Sequence, residues 1–350
     1  MQAMTSKTID LRSDTVTQPT PAMREAMFSA PLGDDVFGDD PTVNRLQDSL
    51  AERLGFEAGL FCSSGTQSNL IALMSHCQRG DEYIVGQEAH CYKWEGGGAA
   101  VLGSIQPQPL DQAPDGSLPL ARIAAAIKPD DSHYARSRLL CLENTWGGRL
   151  LPQAYVQDAL KLAKERGLAT HLDGARFFNA VTASRQAGEP LADVERRLAA
   201  GFDSISICLS KGLGTPAGSV LLGSKALIKQ GRRWRKMLGG GMRQAGLLAG
   251  AGLHALAHHV ERLAEDHANA RLLAEGLAGL PGLEVEPPQS NMVFLKVAPE
   301  KAEAFMVALK AEGILVTGLY TLRLVTHLDV SPAQIERVIR ACRQHCSATA

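Results

Sequence analysis

Apolar and polar positions along the chain fall into two textures. In "DDPTVNRLQDSLAERLG", Val43, Leu46, Leu50 and Leu54 recur at helical spacing and share one face. Asp40 stands where an N-cap belongs, Pro41 suits the first helical position and Gly55 closes the helix. "AGLFCSSGTQSNLIALMSHC" reads as a short apolar segment, a turn of small residues, then a helix from about Thr66. "EYIVGQ", "RLLCLENT", "LATHLDGA", "SISICLS" and "GSVLLGS" read as short apolar strands. Helical patterns lie between them, such as 153–166, where Val156, Ala159, Leu160 and Ala163 align. Strands alternating with helices predict an α/β fold whose mostly parallel sheet is covered on both faces.

The texture changes after about residue 242. Residues 244–279 are rich in Ala and Leu and predict two helices. "NMVFLKV", "ILVTG" and "LRLVTH" predict three strands. A last helix opens with Ser331 as N-cap and Pro332 behind it, and Ile335, Val338, Ile339 and Cys342 line one face. This half reads as a smaller α+β domain. A chain of 350 residues is long for one core. The expected division is an N-terminal segment 1–20, a large domain 21–245 and a small C-terminal domain 246–350. The stretch 183–199 reads as a surface excursion.

Charge narrows the classes of partner. The chain carries 36 basic and 37 acidic residues, a formal net charge of −1, so nothing draws it as a whole to nucleic acid or an anionic membrane. Any anion site must be local. No uncharged run approaches the ~18 residues of a membrane span. The start, "MQAMTSKTIDLRSD", lacks the apolar core of a signal peptide. The seven cysteines are odd in number, scattered and without a CxxC pair. They read as reduced, buried, small hydrophobes of a cytosolic protein, and no metal site is read from them.

Three short motifs carry chemistry. In "CSSGTQSN" small residues let backbone approach a ligand at a helix start, where the dipole favours an anion. A phosphate would fit against Ser63, Ser64, Gly65 and Thr66; a plain polar turn is the other reading, and no GKS or GKT makes it a Walker loop. In "HLDGARFFNA", Asp173 ends an apolar strand, the edge where ligands of open α/β sheets collect. Its partner could be Arg176 or a protonated heterocyclic nitrogen. In "SISICLSKGLGTPAGSVLLGS", Lys211 sits alone between a strand and a Gly/Pro turn. Desolvation would make it a nucleophile able to form a Schiff base. A phosphate turn, a strand-end Asp and a strand-end Lys, in that order, are the parts a pyridoxal phosphate site needs.

"IDLRSDTVTQPT", "GDDVFGDDPTVNRLQ", "SSGTQSN", "HLDGAR", "ICLSKGLGTPAGS", "GGGMRQ" and "RLVTHLDV" resemble the low-specificity L-threonine aldolases, over about residues 8–343. The resemblance implies a fold type I pyridoxal phosphate enzyme, with a mostly parallel mixed sheet, that cleaves L-threonine, L-allo-threonine and related β-hydroxy amino acids to glycine and an aldehyde. It implies that Lys211 forms the imine with the cofactor, that Asp173 meets the pyridine nitrogen and that Arg176 lies near the phenolic oxygen and the substrate. Ser64, Gly65 and Thr66 would hold the phosphate, with Arg243 reaching a neighbouring subunit's phosphate. Arg323 and Ser13 would grip the substrate carboxylate. His90 would stack on the ring, and His90 and His133 are the expected bases. Trp94 and Trp146 depart from the usual residues and would reshape the pocket beneath the leaving aldehyde. The implied assembly is a homotetramer with active sites between subunits. A β-eliminating lyase or aminotransferase on the same scaffold, or an idle cofactor-binding protein, are the competing readings.

Overall fold

The computed structural model describes residues 8–347. The first seven residues, which begin the expected N-terminal segment and the stretch read for a signal peptide, lie outside the described residues, as do the last three of the expected small domain. The chain enters through β1 (Ile9–Asp10). It then builds β2 (Ala58–Cys62), β3 (Asp81–Gly86), β4 (Gln106–Leu110), β5 (Arg136–Glu143), β6 (Ala169–Gly174), β7 (Ser204–Cys208) and β8 (Ser219–Gly223). These seven form one sheet in the order β2-β8-β7-β6-β5-β3-β4. β4, β3, β5, β6 and β7 run parallel, while β8 is antiparallel to both of its neighbours.

The parallel strands read as continuous apolar runs because helices cover both faces. Leu139, Leu140, Leu172, Ile205 and Ile207 are all buried. β4 escaped the sequence reading because Pro107 and Pro109 interrupt it, and prolines are tolerated there because β4 is the sheet's edge.

A second core lies beyond the first. β9 (Leu283–Glu286), β10 (Met292–Val297) and β12 (Thr321–Val325) form an antiparallel sheet in the order β12-β10-β9. The predicted strand "ILVTG" touches it only through a single bridge from Thr317 to Arg323. It shortens to β11 (Ile314–Leu315), which pairs in parallel with β1. Ile9 and Leu11 are thereby buried in the C-terminal core, among Val293, Leu322 and Val338. The helix Gly246–His258 packs in the first core through Ala249, Ala251 and Ala255, whereas Leu263–Leu277 gives Ala270, Leu273 and Leu277 to the second. The supposed surface excursion is half helix: Leu191–Ala199 buries Val194 and Leu198 in the first core. Glu195 on that helix is buried, and its carboxylate accepts from Arg53 at 2.7 and 2.6 Å.

All seven cysteines are free and buried. Among the described residues no helix is long and apolar enough to cross a membrane. The capped helix Pro41–Leu54 starts and ends where its sequence predicts. Its cap does more than cap. Asp40, fully buried, accepts from the amides of Thr42 and Val43, and also from Gly33 and Gly246 at 3.2 and 2.9 Å. A Cβ at Gly246 would lie 2.4 Å from Asp40 Oδ1, so glycine is required there for the approach. Asp40→Ala leaves four amides without their acceptor. It should cost more than the ~1 kcal/mol of an ordinary N-cap in urea denaturation, and Asp40→Asn should recover part of the loss.

Candidate active site

The site lies at the carboxyl edge of the parallel strands. β5 ends on Glu143, β6 ends on Asp173 and Gly174, and Lys211 follows β7 by three residues. Register sets Glu143 directly beside Asp173 and Asp173 beside Ser206. Two carboxyl groups thus share one buried edge. Burial, and then the neighbouring Asp173 charge, pushes the Glu143 carboxyl up to about 8, so Glu143 is mostly protonated at neutral pH. Its Oε2 accepts from the His90 backbone N–H at 2.8 Å.

Asp173 is 2% exposed. Its Oδ1 accepts from the Ala175 amide at 3.0 Å and its Oδ2 from Asn69 Nδ2 at 2.8 Å. Of the two partners expected for it, Arg176 goes elsewhere. That guanidinium is bidentate on Asp14, at 2.9 and 2.6 Å. Burial would raise the Asp14 carboxyl, but the charge and hydrogen bonds of Arg176, with the charge of Lys211 and a bond from Asn291, hold it down at about 2.

Lys211 is half-buried, with Nζ 3.7 Å from Cys208 Sγ. The turn behind it needs Gly214, which sits at φ +76° with Leu328 and His259 against the place of a side chain. Before the helix Gly65–His76, Ser64 caps the Gln67 amide. Gly65 cannot carry a side chain, since a Cβ would lie 2.5 Å from Cys208 Sγ. The turn is open to solvent at Ser64 and Thr66, so its helix-start amides face outward. The "GGGMRQ" loop packs on it, with Gly240 against the Gln67 amide. Arg243 of that loop is exposed and pairs with Asp34 at 3.2 Å.

His90 begins a single helical turn, His90–Lys93. Its Nδ1 lies 2.8 Å from Glu95 Oε1. That hydrogen bond raises the His90 pKa against the opposing effect of burial. Glu95 itself is pushed up by burial. Trp94 caps the same turn, 65% exposed, with Lys93 over its ring. Trp146 follows the end of β5 by three residues, with the Arg149 guanidinium over its ring. Ligand atoms of His90, Glu95 and Asp173 lie within 4.8 Å of one another, the spacing of a metal site. Asn69 Nδ2 argues for another use, because it donates to both carboxylates at 2.8 Å where a cation would sit.

Arg323, on β12, donates to the Arg12 carbonyl at 3.1 Å, beside Ser13. Its Nε is buried with no hydrogen-bond partner among the described residues. Burial and the nearby Arg176 lower its pKa. Ser13, Asp14, Arg176, Lys211 and Arg323 therefore meet around one mouth. His133 does not join them. It is exposed, bonded to Asp131 at 2.6 Å in the turn before β5, while the site lies past the other end of that strand. Eight residues of strand separate the two edges by roughly 25 Å.

The residues fit pyridoxal phosphate: an amine, a buried carboxylate on the next strand, an open helix-start turn with an obligatory glycine, and an arginine with an orphaned donor. Comparison with known proteins decides the family. The chain is 57% identical over 330 residues to the low specificity L-threonine aldolase of Escherichia coli O157:H7, covering 94% of this chain and 97% of that one. The chain belongs to the low-specificity L-threonine aldolase family. A probable low-specificity L-threonine aldolase of Arabidopsis thaliana is 42% identical over 348 residues, 96% of each chain. A beta-eliminating lyase family model matches residues 10–300. Among solved structures, Leishmania major threonine aldolase superposes with TM-score 0.80 at 23% identity, covering 97% of this chain and 99% of that one. A putative L-allo-threonine aldolase of Listeria monocytogenes gives 0.78 at 20%, covering 97% of each. At those identities the structures speak for the fold, the fold type I scaffold of pyridoxal phosphate enzymes.

Sequence reasoning missed Asp14, Asn69, Glu95, Glu143 and Asn291. Glu143 was accessible by the rule that found Asp173, since "LLCLENT" ends a strand too. Asp14 is next to Ser13 in "RSDTVT". Glu95 and Asn69 gave no local signal.

The depressed Asp14 carboxyl makes a linkage prediction. Its stabilisation is complete above its ordinary value of 3.8 and is lost as pH falls through about 2. Asp14→Asn leaves Arg176 buried and unpaired, so urea denaturation at pH 7 should show a loss of ~3–5 kcal/mol. The gap between variant and wild type should narrow as pH falls below about 4.

Proposed function

We propose that the chain cleaves L-threonine, L-allo-threonine and related L-β-hydroxy-α-amino acids reversibly to glycine and an aldehyde, as a pyridoxal-phosphate-dependent aldehyde-lyase. The observation that carries the reading is Arg323. A half-buried guanidinium whose Nε is buried and unpartnered among the described residues, beside Ser13 and at the mouth that holds Lys211, calls for a carboxylate. Bound beside Asp173 and Lys211, pyridoxal phosphate supplies an electron sink for the pair left behind when a Cα bond breaks.

The chain's own residues do the rest. Ser64, Gly65 and Thr66 would hold the phosphate, Lys211 would supply the amine that anchors the cofactor, and Asp173 would pair with its ring nitrogen. Arg176, fixed by Asp14, would lie near the cofactor's phenolic oxygen. Arg323 and Ser13 would clamp the amino acid's carboxylate and so orient the substrate for cleavage of Cα–Cβ. His90 holds Glu95 through Nδ1, which leaves Nε2 free to take the β-hydroxyl proton, directly or through water; its imidazole plane would stack on the cofactor. Trp94, one turn on, borders the departing aldehyde.

The reading extends to assembly. Phe28, Leu32, Val36 and Phe37 are exposed, and Val36 lies against Gly241 beside the exposed Arg243. Such a patch supports a homotetramer in which Arg243 reaches a neighbour's phosphate and His133 acts only if a neighbouring copy presents it. Seven free thiols support a cytoplasmic site of action.

Incubation with L-threonine should give glycine and acetaldehyde in equal amounts. Ammonia and 2-oxobutanoate would instead identify a β-eliminating lyase. Arg323→Ala should lower kcat/KM on the order of 100-fold, the loss expected when a charged hydrogen-bonding clamp is removed.

A further inference from the structure

Asp173 is the end of a longer structure. Behind it, away from the mouth, a line of buried polar side chains crosses under the sheet. Asn69 Nδ2 donates to Asp173 Oδ2 at 2.8 Å. Asn69 Oδ1 lies 3.2 Å from His171 Nε2. His171 Nδ1 lies 2.8 Å from Ser204 Oγ, which lies 2.7 Å from His76 Nε2. Asn69, His171 and Ser204 are at most 2% exposed. The last member, His76, lines a cleft of about 840 Å³ with Lys161, Lys164 and Asp203 at the sheet's opposite edge.

The fold places these residues in line. Asn69 and His76 lie seven residues apart on the helix Gly65–His76, two turns on one face. His171 and Asp173 alternate on one side of β6. Ser204 is the register partner of His171 on β7.

Hydrogen-bond chemistry fixes the direction of every link. Asn69 faces two carboxylates, Asp173 and Glu95, so its amide nitrogen points at them and its oxygen points back. That oxygen needs a donor, so His171 carries its proton on Nε2. His171 Nδ1 is then a lone pair, so Ser204 donates to it. Ser204 Oγ in turn accepts from His76 Nε2–H. Burial pushes His171 down to about 3 and His76 down to about 4, so both are neutral imidazoles with one proton each. An amide in the path blocks proton hopping, so the line transmits polarisation rather than protons. Donors aligned head to tail strengthen one another in a low-dielectric interior.

We propose that His76, Ser204, His171 and Asn69 are positioning residues, a one-way chain of donors that holds Asp173 as a carboxylate aimed at the pyridine nitrogen of the cofactor. The proposal rests on the reading that Asp173 meets that nitrogen. Its test compares two ligands of the apoenzyme by visible absorbance: pyridoxal phosphate and 1-deazapyridoxal phosphate, in which the ring nitrogen is a CH. Wild type should prefer pyridoxal phosphate. Ser204→Ala should cut that preference by about fivefold, the scale of one net hydrogen bond, with affinity for the deaza analogue unchanged. Ser204→Thr, which keeps the hydroxyl, should restore it. His76→Leu and His76→Gln repeat the comparison from the cleft end, where substitution disturbs the core least; Gln keeps a donor and should retain the preference. Equal loss of both affinities, or an unchanged preference in Ser204→Ala and His76→Leu, overturns the chain. Equal affinity of wild type for the two ligands overturns the reading of Asp173 and the proposal with it.

Discussion

The buried ion pair of Asp14 and Arg176 is the contact on which the site depends. Asp14 comes from the N-terminal segment, Arg176 from the loop after β6, and Asn291, which also donates to Asp14 at 3.3 Å, from the C-terminal half. Three separate pieces of chain are tied at one carboxylate with no exposure to solvent. A buried charge of this kind is tolerated only when paired with good geometry, so each piece is held in place by the cost of losing the others. Lys211 and Arg323 add positive charge around the same group. The mouth is therefore cationic although the chain as a whole is nearly neutral. That local surplus is what an anionic cofactor and a substrate carboxylate require.

Deeper in, the balance reverses. Asp173, Glu95 and Glu143 gather at the strand ends, and burial keeps them from all being charged together. Asn69 and His90 distribute hydrogen bonds among them. Burial raises the Glu143 and Glu95 carboxyls, while Asn69 and the Ala175 amide both donate to Asp173.

Much of this was legible in the sequence, for identifiable reasons. Asp173 and Lys211 end apolar runs, and in a parallel sheet the carboxyl ends share one edge. The same rule places His133 at the opposite edge, because it precedes its strand, and the structure does so. Family motifs drew attention to His133 and only a second copy of the chain could bring it back. Arg176 was read as a possible partner of Asp173 because the two are close in sequence; the backbone turn after β6 sends its side chain to Asp14 instead. Asn69, Glu95 and Asn291 were invisible because their roles come from packing between distant elements. The same holds for β11, which reads as a third strand of the small sheet but pairs with β1, and for β4, hidden by its prolines.

The central claim is that Lys211, carried by β7 to the edge beside Asp173, is where the cofactor is held. Borohydride reduction of the holoenzyme, followed by proteolysis and mass mapping of the phosphopyridoxyl group, addresses it directly. The account predicts one modified peptide, with the label on Lys211. Label on another lysine such as Lys225, or no labelled peptide, would contradict it.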